Sequence, residues 1–217
     1  MASEIQTANA ITTFSIKEAF SYGWETFKKR PVFFIVFSLI IIGVNIIPGI
    51  LSPILSNKEL HLEILSFIVP LLGAILSMIV SLGIINFTLR IFDNKPTSYS
   101  SIFEKWQLVL LYFLASILYG LIIFVGFVLL IVPGIIWSIK FQFFPYFMVD
   151  RGTGIIESLK LSSKITNNNK WRLFLFGLVQ GLVGFLGFLL LGIGILAAIP
   201  IGTMAEAYVY RKLSVGK

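Results

Sequence analysis

Cysteine is absent from this 217-residue chain, and histidine occurs once, at His61. The first absence excludes disulfides and thiolate metal sites. The two together leave little for base or nucleophile chemistry. Charge is scarce as well: Asp, Glu, Lys and Arg make up 12% of the residues, and 10 of them are acids. Eight of those acids (Glu4, Glu18, Glu25, Glu59, Glu63, Asp93, Glu104 and Glu157) are placed in tails, loops or interfacial helices. No GxSxG, HExxH or Walker-type loop occurs, so neither catalysis nor a cofactor or metal is expected. Residues 1–30 lack a leading apolar core. No secretory signal peptide is therefore expected, and the first span should serve as the insertion signal.

The chain is 57% hydrophobic, with a mean hydropathy of +0.95. No soluble domain needs that much apolar surface, so the expected class is all-α integral membrane. A hydrocarbon core of about 30 Å takes about 20 apolar residues per helical span. Uncharged runs reach that length at Pro31–Asn57, Ile64–Leu89, Trp106–Ile139 and Leu173–Ala205. The last two are too long for one span and slightly short for two. Runs such as "FFIVFSLIII" are apolar on every side, which excludes the alternation of a β-barrel. Six transmembrane helices are expected, near 32–51, 64–89, 106–128, 133–149, 171–190 and 193–211. The turn between the third and fourth falls either near Gly126 or just before Pro133.

The net charge of +7 has no basic domain behind it, so nucleic acid is not an expected partner. Its distribution reads instead as topology. With six spans, one side holds all 17 basic residues except Lys58 and Lys140. The positive-inside rule then puts both termini in the cytoplasm. The expected location is the cytoplasmic (inner) membrane, multi-pass.

"SIKEAFSYGWETFKKRPVFFIVF" (Ser15–Phe37) is echoed by "GIIESLKLSSKITNNNKWRLFLF" (Gly154–Phe176) and, in shorter form, by "SYSSIFEKWQLVLLYFL" (Ser98–Leu114). The expected plan is a flexible tail over 1–14, then three units at about 15–92, 93–152 and 153–213. Each unit is an amphipathic interfacial helix followed by a transmembrane hairpin. Ile16, Phe20, Trp24 and Phe27 fall on one helical face. Ile155, Leu159 and Ser162 repeat the spacing, with Thr153 as a candidate cap and Asn167–Asn169 as the stop. Such helices either lie among headgroups, cations toward anionic lipid, or pack on the bundle's cytoplasmic end. Lys28, Lys29, Arg30, Lys160, Lys164, Lys170 and Arg172 are the headgroup candidates, with Trp24, Trp106 and Trp171 as belt anchors.

Small residues at Gly177, Gly181 and Gly184, at Gly73, Ser77 and Ser81, and at Ser116 and Gly120 are expected to pack helices within the bundle. The intramembrane polar candidates are Lys140, Glu206, Asn86, Gln180 and Asp150. A lone lysine at mid-membrane costs about 2.5–3.5 kcal/mol on insertion scales. Lys140 is therefore expected to pair with Glu206 or Asp150, to face a polar cavity, or to snorkel.

"IVPGIIWSIKFQFFPYFMVDRGTGIIESLKLSSKITNNNKWRLFLF" followed by "LGIGILAAIPIGTMAEAYVYRKL" resembles uncharacterised bacterial polytopic membrane-protein families. These are related to the membrane domain of some glycerophosphoryl diester phosphodiesterases. The matching positions are Pro133-Gly134-Ile135, Tyr146, Asp150, Glu157-Ser158-Leu159, Ser162 or Ser163, and Lys170-Trp171-Arg172, within about residues 80–212. No phosphodiesterase domain is expected alongside, so hydrolysis is not carried over, and the resemblance implies a cytoplasmic-membrane protein without a settled activity. The expected role is non-enzymatic: membrane organisation or assistance to a partner, with contact to anionic lipid. A membrane-protein partner or a second copy is a possible associate. The alternative is a small transporter or channel with a polar path along Lys140, Asn86, Gln180 and Glu206.

Overall fold

The computed structural model describes residues 13–55, 63–190 and 192–215. Lys58, His61 and the tail over 1–12 lie outside the described residues. Among the described residues every regular element is helical. The α-helices are α1 (Ile16–Lys29), α2 (Pro31–Leu55), α3 (Glu63–Phe92), α4 (Val109–Leu129), α5 (Ile131–Phe141), α6 (Phe144–Arg151), α7 (Ile155–Thr166), α8 (Lys170–Leu189) and α9 (Ile195–Ser214). Two 3-10 turns, Tyr99–Ile102 and Trp106–Leu108, lead into α4. Where the shorter copy of the repeat is expected to be an amphipathic helix, the chain forms these turns.

Among the described residues, four helical segments are long and apolar enough to cross a membrane: Pro31–Leu55, Ile64–Phe92, Tyr99–Leu129 and Lys170–Leu189. The chain is thus an all-helical, membrane-spanning protein. The expected fourth span is not one helix. The chain turns at Leu130, whose backbone is extended, and α5 follows at once, with Pro133 in its first turn. This turn falls between the two expected places. Gly126 and Gly134 meet across it, where a Cβ on Gly126 would stand 2.9 Å from the Gly134 Cα. Helix α5 has 11 residues and α6 has 8, about 16 and 12 Å long at 1.5 Å per residue. Neither alone reaches across about 30 Å of hydrocarbon. Helix α9 has 20 residues, but its second half carries Glu206, Arg211 and Lys212.

The buried core lies at the end of the bundle where α1, α6, α7 and the C-terminal ends of α3 and α9 converge. Phe143, Phe147 and Tyr210 are fully buried there, and Tyr146 is nearly so. A neighbouring cluster stacks Phe33, Phe34, Phe37 and Phe87 between α2 and α3. At the opposite end the apolar residues face outward: Ile50 on α2, Phe67 on α3, Val128 on α4 and Phe188 on α8 are all more than half exposed. In water that surface would be untenable. In hydrocarbon it is the expected solvent-facing side.

Helix α1 begins at Ser15, whose hydroxyl accepts from the Glu18 N–H at 3.3 Å, an N-cap. Lys28 and Lys29 end it, complementing the helix dipole. It packs along α9 through Ala19, Gly23 and Thr26. This face is roughly a quarter turn from the expected stripe of Ile16, Phe20, Trp24 and Phe27. Trp24 is exposed, and the other three flank the contact. The reason is steric: large side chains dominate a hydrophobic pattern, whereas the smallest ones set how closely helices approach. The expected Thr153 cap is also absent. Gly154 precedes α7, and the Thr153 Oγ1 is buried without a hydrogen-bond partner.

Candidate functional site

The convergent end is organised around Arg211. Its Nη1 donates to the Asp150 Oδ2 at 2.8 Å, and its Nη2 to the Asp93 Oδ2 at 2.7 Å. The Tyr210 hydroxyl donates to the same Asp150 oxygen at 2.9 Å. One guanidinium thus joins the C-terminal ends of α3 and α6 to α9, with all three groups a quarter exposed or less. A planar fork with several donors suits this task better than an ammonium. Asp93, read from the sequence as a loop acid, is part of the assembly. Nothing in the local pattern could have shown this, because its partner is 118 residues away.

The break between α5 and α6 is held by α7. The Ser162 hydroxyl donates to the Lys140 carbonyl at 3.1 Å and accepts from the Phe143 N–H at 3.1 Å. The Thr166 hydroxyl also donates to the Lys140 carbonyl, at 3.0 Å. These bonds satisfy backbone groups freed where a helix stops inside the bundle, which apolar surroundings require. Lys140 therefore contributes through its backbone. Its side chain lies 5.2 Å from the Phe141 ring centroid, in a shallow groove of Leu121, Ile122, Val125 and Trp137. Among the described residues it forms no ion pair. Asp150, one expected partner, is taken by Arg211. Glu206, the other, lies beside Tyr146.

The remaining polar candidates are not brought together. Asn86 is buried and donates to the Ser101 carbonyl at 3.0 Å and the Glu104 carboxylate at 3.1 Å. Arg90 binds that same carboxylate. Asn86 thus fastens the 3-10 segment to α3. Gln180 rests against Gly202 on α9. The glycine stripe is likewise not as expected: Gly177, Gly181 and Gly184 have open space where a Cβ would stand. Close packing occurs as expected at Gly73, against the Pro48 ring, and also at Gly187, against Gly194.

The headgroup candidates stand at the surface of the convergent end. Lys29, Arg30, Lys160, Lys164 and Arg172 are exposed, and Lys170 is half-buried. Lys28 pairs with Glu25 at 2.7 Å and sits 5.8 Å from the Trp24 ring centroid. Arg172 also reaches the Phe14 carbonyl at 3.4 Å. Trp24, Trp106 and Trp171 are 47%, 60% and 69% exposed, as aromatic anchors of a membrane interface are.

The uncharacterised protein Rv2560 of Mycobacterium tuberculosis is 34% identical over 135 residues, covering 62% of this chain and 41% of the relative. The uncharacterised protein Mb2590 of Mycobacterium bovis matches with the same identity and coverage. The chain thus spans about two fifths of the length of these relatives. No solved structure matches it. The resemblance to uncharacterised membrane-protein families is met at that level, and these matches make no link to glycerophosphoryl diester phosphodiesterases. Residues 14–215 match the family described as Domain of unknown function (DUF7847), and the chain belongs to that family.

Proposed function

We propose that the protein is a non-enzymatic organiser of the cytoplasmic membrane, or an assistant to a membrane partner, that works through contact with anionic lipid. In this reading the chain crosses six times with both termini in the cytoplasm. The broken pair α5–α6 makes the fourth crossing and α9 the sixth. Each hairpin follows a segment at the cytoplasmic interface. The motif around Pro133-Gly134-Ile135 keeps the relation to phosphodiesterase membrane domains as part of the reading.

The observation that carries it is the division of the surface. Outward-facing apolar side chains cover one end, and exposed cations and tryptophans ring the other. That is the charge and aromatic arrangement by which a helix bundle engages anionic headgroups. A polar transport path is less well supported, because Lys140, Asn86, Gln180 and Glu206 occupy four separate surroundings. Purification in a mild neutral detergent, with mass spectrometry of the retained molecules, tests the proposal. Several-fold enrichment of anionic lipid over the bulk membrane, or a stoichiometric protein partner, is the expected result. Bulk lipid composition with no partner, together with solute flux in vesicles, would replace it with transport.

A further inference from the structure

The ends of α1, α3 and α9 and the start of α2 enclose a cavity of about 550 Å³, within the roughly 300–1,000 Å³ of small-ligand sites. Its wall contains four cations, Lys29, Arg30, Lys95 and Lys212, and no acid. They come from three distant places in the chain: the α1–α2 junction, the loop after α3, and the last turn of α9. Lys95 lies 3.5 Å from Asp93, whose same oxygen already receives Arg211 at 2.7 Å. Lys29, Arg30 and Lys212 form no ion pair among the described residues. Like charges gathered around a cavity repel one another and raise the local concentration of an anion.

The rest of the wall says which kind of anion. Thr26 and Thr97 add hydroxyls among the cations. Burial raises the Tyr22 phenol above its ordinary value, so it too stays a neutral donor. Phe33 and Phe34 from the first turn of α2 and Ile91 from the last turn of α3 add apolar wall, beside Phe92, Asn94 and Tyr208, whose hydroxyl donates to Glu18 at 2.8 Å. Those turns are where two membrane-crossing helices enter the apolar zone, and Val32 and Val36 stand exposed on the outer side of α2. The cavity therefore joins a phosphate-sized field of positive charge to a surface fit for hydrocarbon.

We propose that this cavity is a binding site for the phosphate-bearing headgroup of an anionic phospholipid. Lys29, Arg30, Lys95 and Lys212 surround the phosphate, and the acyl chains pass by Phe33 along α2. The inference rests on the lipid-contact reading above and narrows it from a charged rim to one site. An arginine fork with flexible ammonium groups matches the several acceptor oxygens of a phosphodiester.

The test uses the full chain in neutral detergent, titrated with phosphatidylglycerol or phosphatidylcholine and read by native mass spectrometry. Phosphatidylglycerol should be retained in preference. Lys95→Gln with Lys212→Gln should weaken that retention tenfold or more. Lys17→Gln with Lys105→Gln, neither in the cavity wall nor among the headgroup candidates, should change it less than twofold. Equal losses in the two pairs would overturn the site and leave diffuse lipid contact standing. No preference for phosphatidylglycerol in the unaltered chain would overturn both. Complete displacement of the lipid by millimolar inorganic phosphate would overturn the lipid as occupant in favour of a soluble anion. Should the cavity pair fail to fold, Lys212→Gln alone should weaken retention several-fold, and an unchanged value would count against the site.

Discussion

Gly23 on α1 lies so close to the Ile201 carbonyl on α9 that a Cβ at position 23 would stand 2.4 Å from the oxygen. The obstacle is backbone, so no rotamer change relieves it. Gly23→Ala should cost about 1–3 kcal/mol and Gly23→Leu more. Apparent Tm in detergent should fall by about 2–4 °C per kcal/mol. The neighbouring Trp24→Ala should leave Tm nearly unchanged. The opposite order would restore the aromatic stripe as the packing face of α1.

The hydroxyl clasp on the α5–α6 break predicts an asymmetry between two alcohols. Ser162→Ala leaves the fully buried Phe143 N–H without its acceptor and should destabilise by about 1–3 kcal/mol. Thr166→Val leaves the Lys140 carbonyl still bonded by Ser162, and should cost about 0.5–1.5 kcal/mol. Lys140→Leu keeps the backbone carbonyl and should change stability least of the three. Thermal melts of the three variants in one detergent decide the order.

Arg211 predicts a graded series. Arg211→Leu removes the shared partner of Asp93 and Asp150, leaving them Lys95 and the Tyr210 hydroxyl. Because both acids are partly exposed, the loss should be about 1–3 kcal/mol, below that of a fully buried pair. Arg211→Lys should be intermediate, since one ammonium cannot span both carboxylates as a fork does. Adding Asp150→Asn to Arg211→Leu should recover part of the loss in a double-mutant cycle. An additive cycle would mean that the two groups do not interact.

The proposed six-span arrangement is open to a direct topology experiment, because the chain has no native cysteine. A single cysteine at Ser52, near the end of α2, should react with an impermeant thiol reagent from outside the cell. One at Lys95 should react only after permeabilisation. The reverse pattern would invert the orientation, and labelling of both from one side would remove the α2–α3 hairpin as a double crossing.

Parts of this molecule were legible in the sequence for definite reasons. Long uncharged runs force helices in hydrocarbon, because every backbone group must be bonded within its own segment. The helix class, the long spans α2, α3, α4 and α8, and the surface position of Trp24, Trp106 and Trp171 follow from that. The small-residue faces were only partly legible. Gly73 packs as its spacing implied, whereas Gly177, Gly181 and Gly184 do not, because spacing records a face and not what lies opposite it.

Composition and hydropathy alone determined that this chain belongs in a membrane as a bundle of helices. They did so because transfer of apolar surface and satisfaction of the backbone are local properties, summed residue by residue. Only the tertiary structure decided where the chain breaks between α5 and α6, that Lys140 acts through its carbonyl, and that Arg211 holds Asp93 and Asp150. It alone gathered Lys29, Arg30, Lys95 and Lys212 around one cavity. Those outcomes depend on residues far apart in the chain, and the energy of a hydrogen bond or of a charge pair exists only once folding brings both partners within reach.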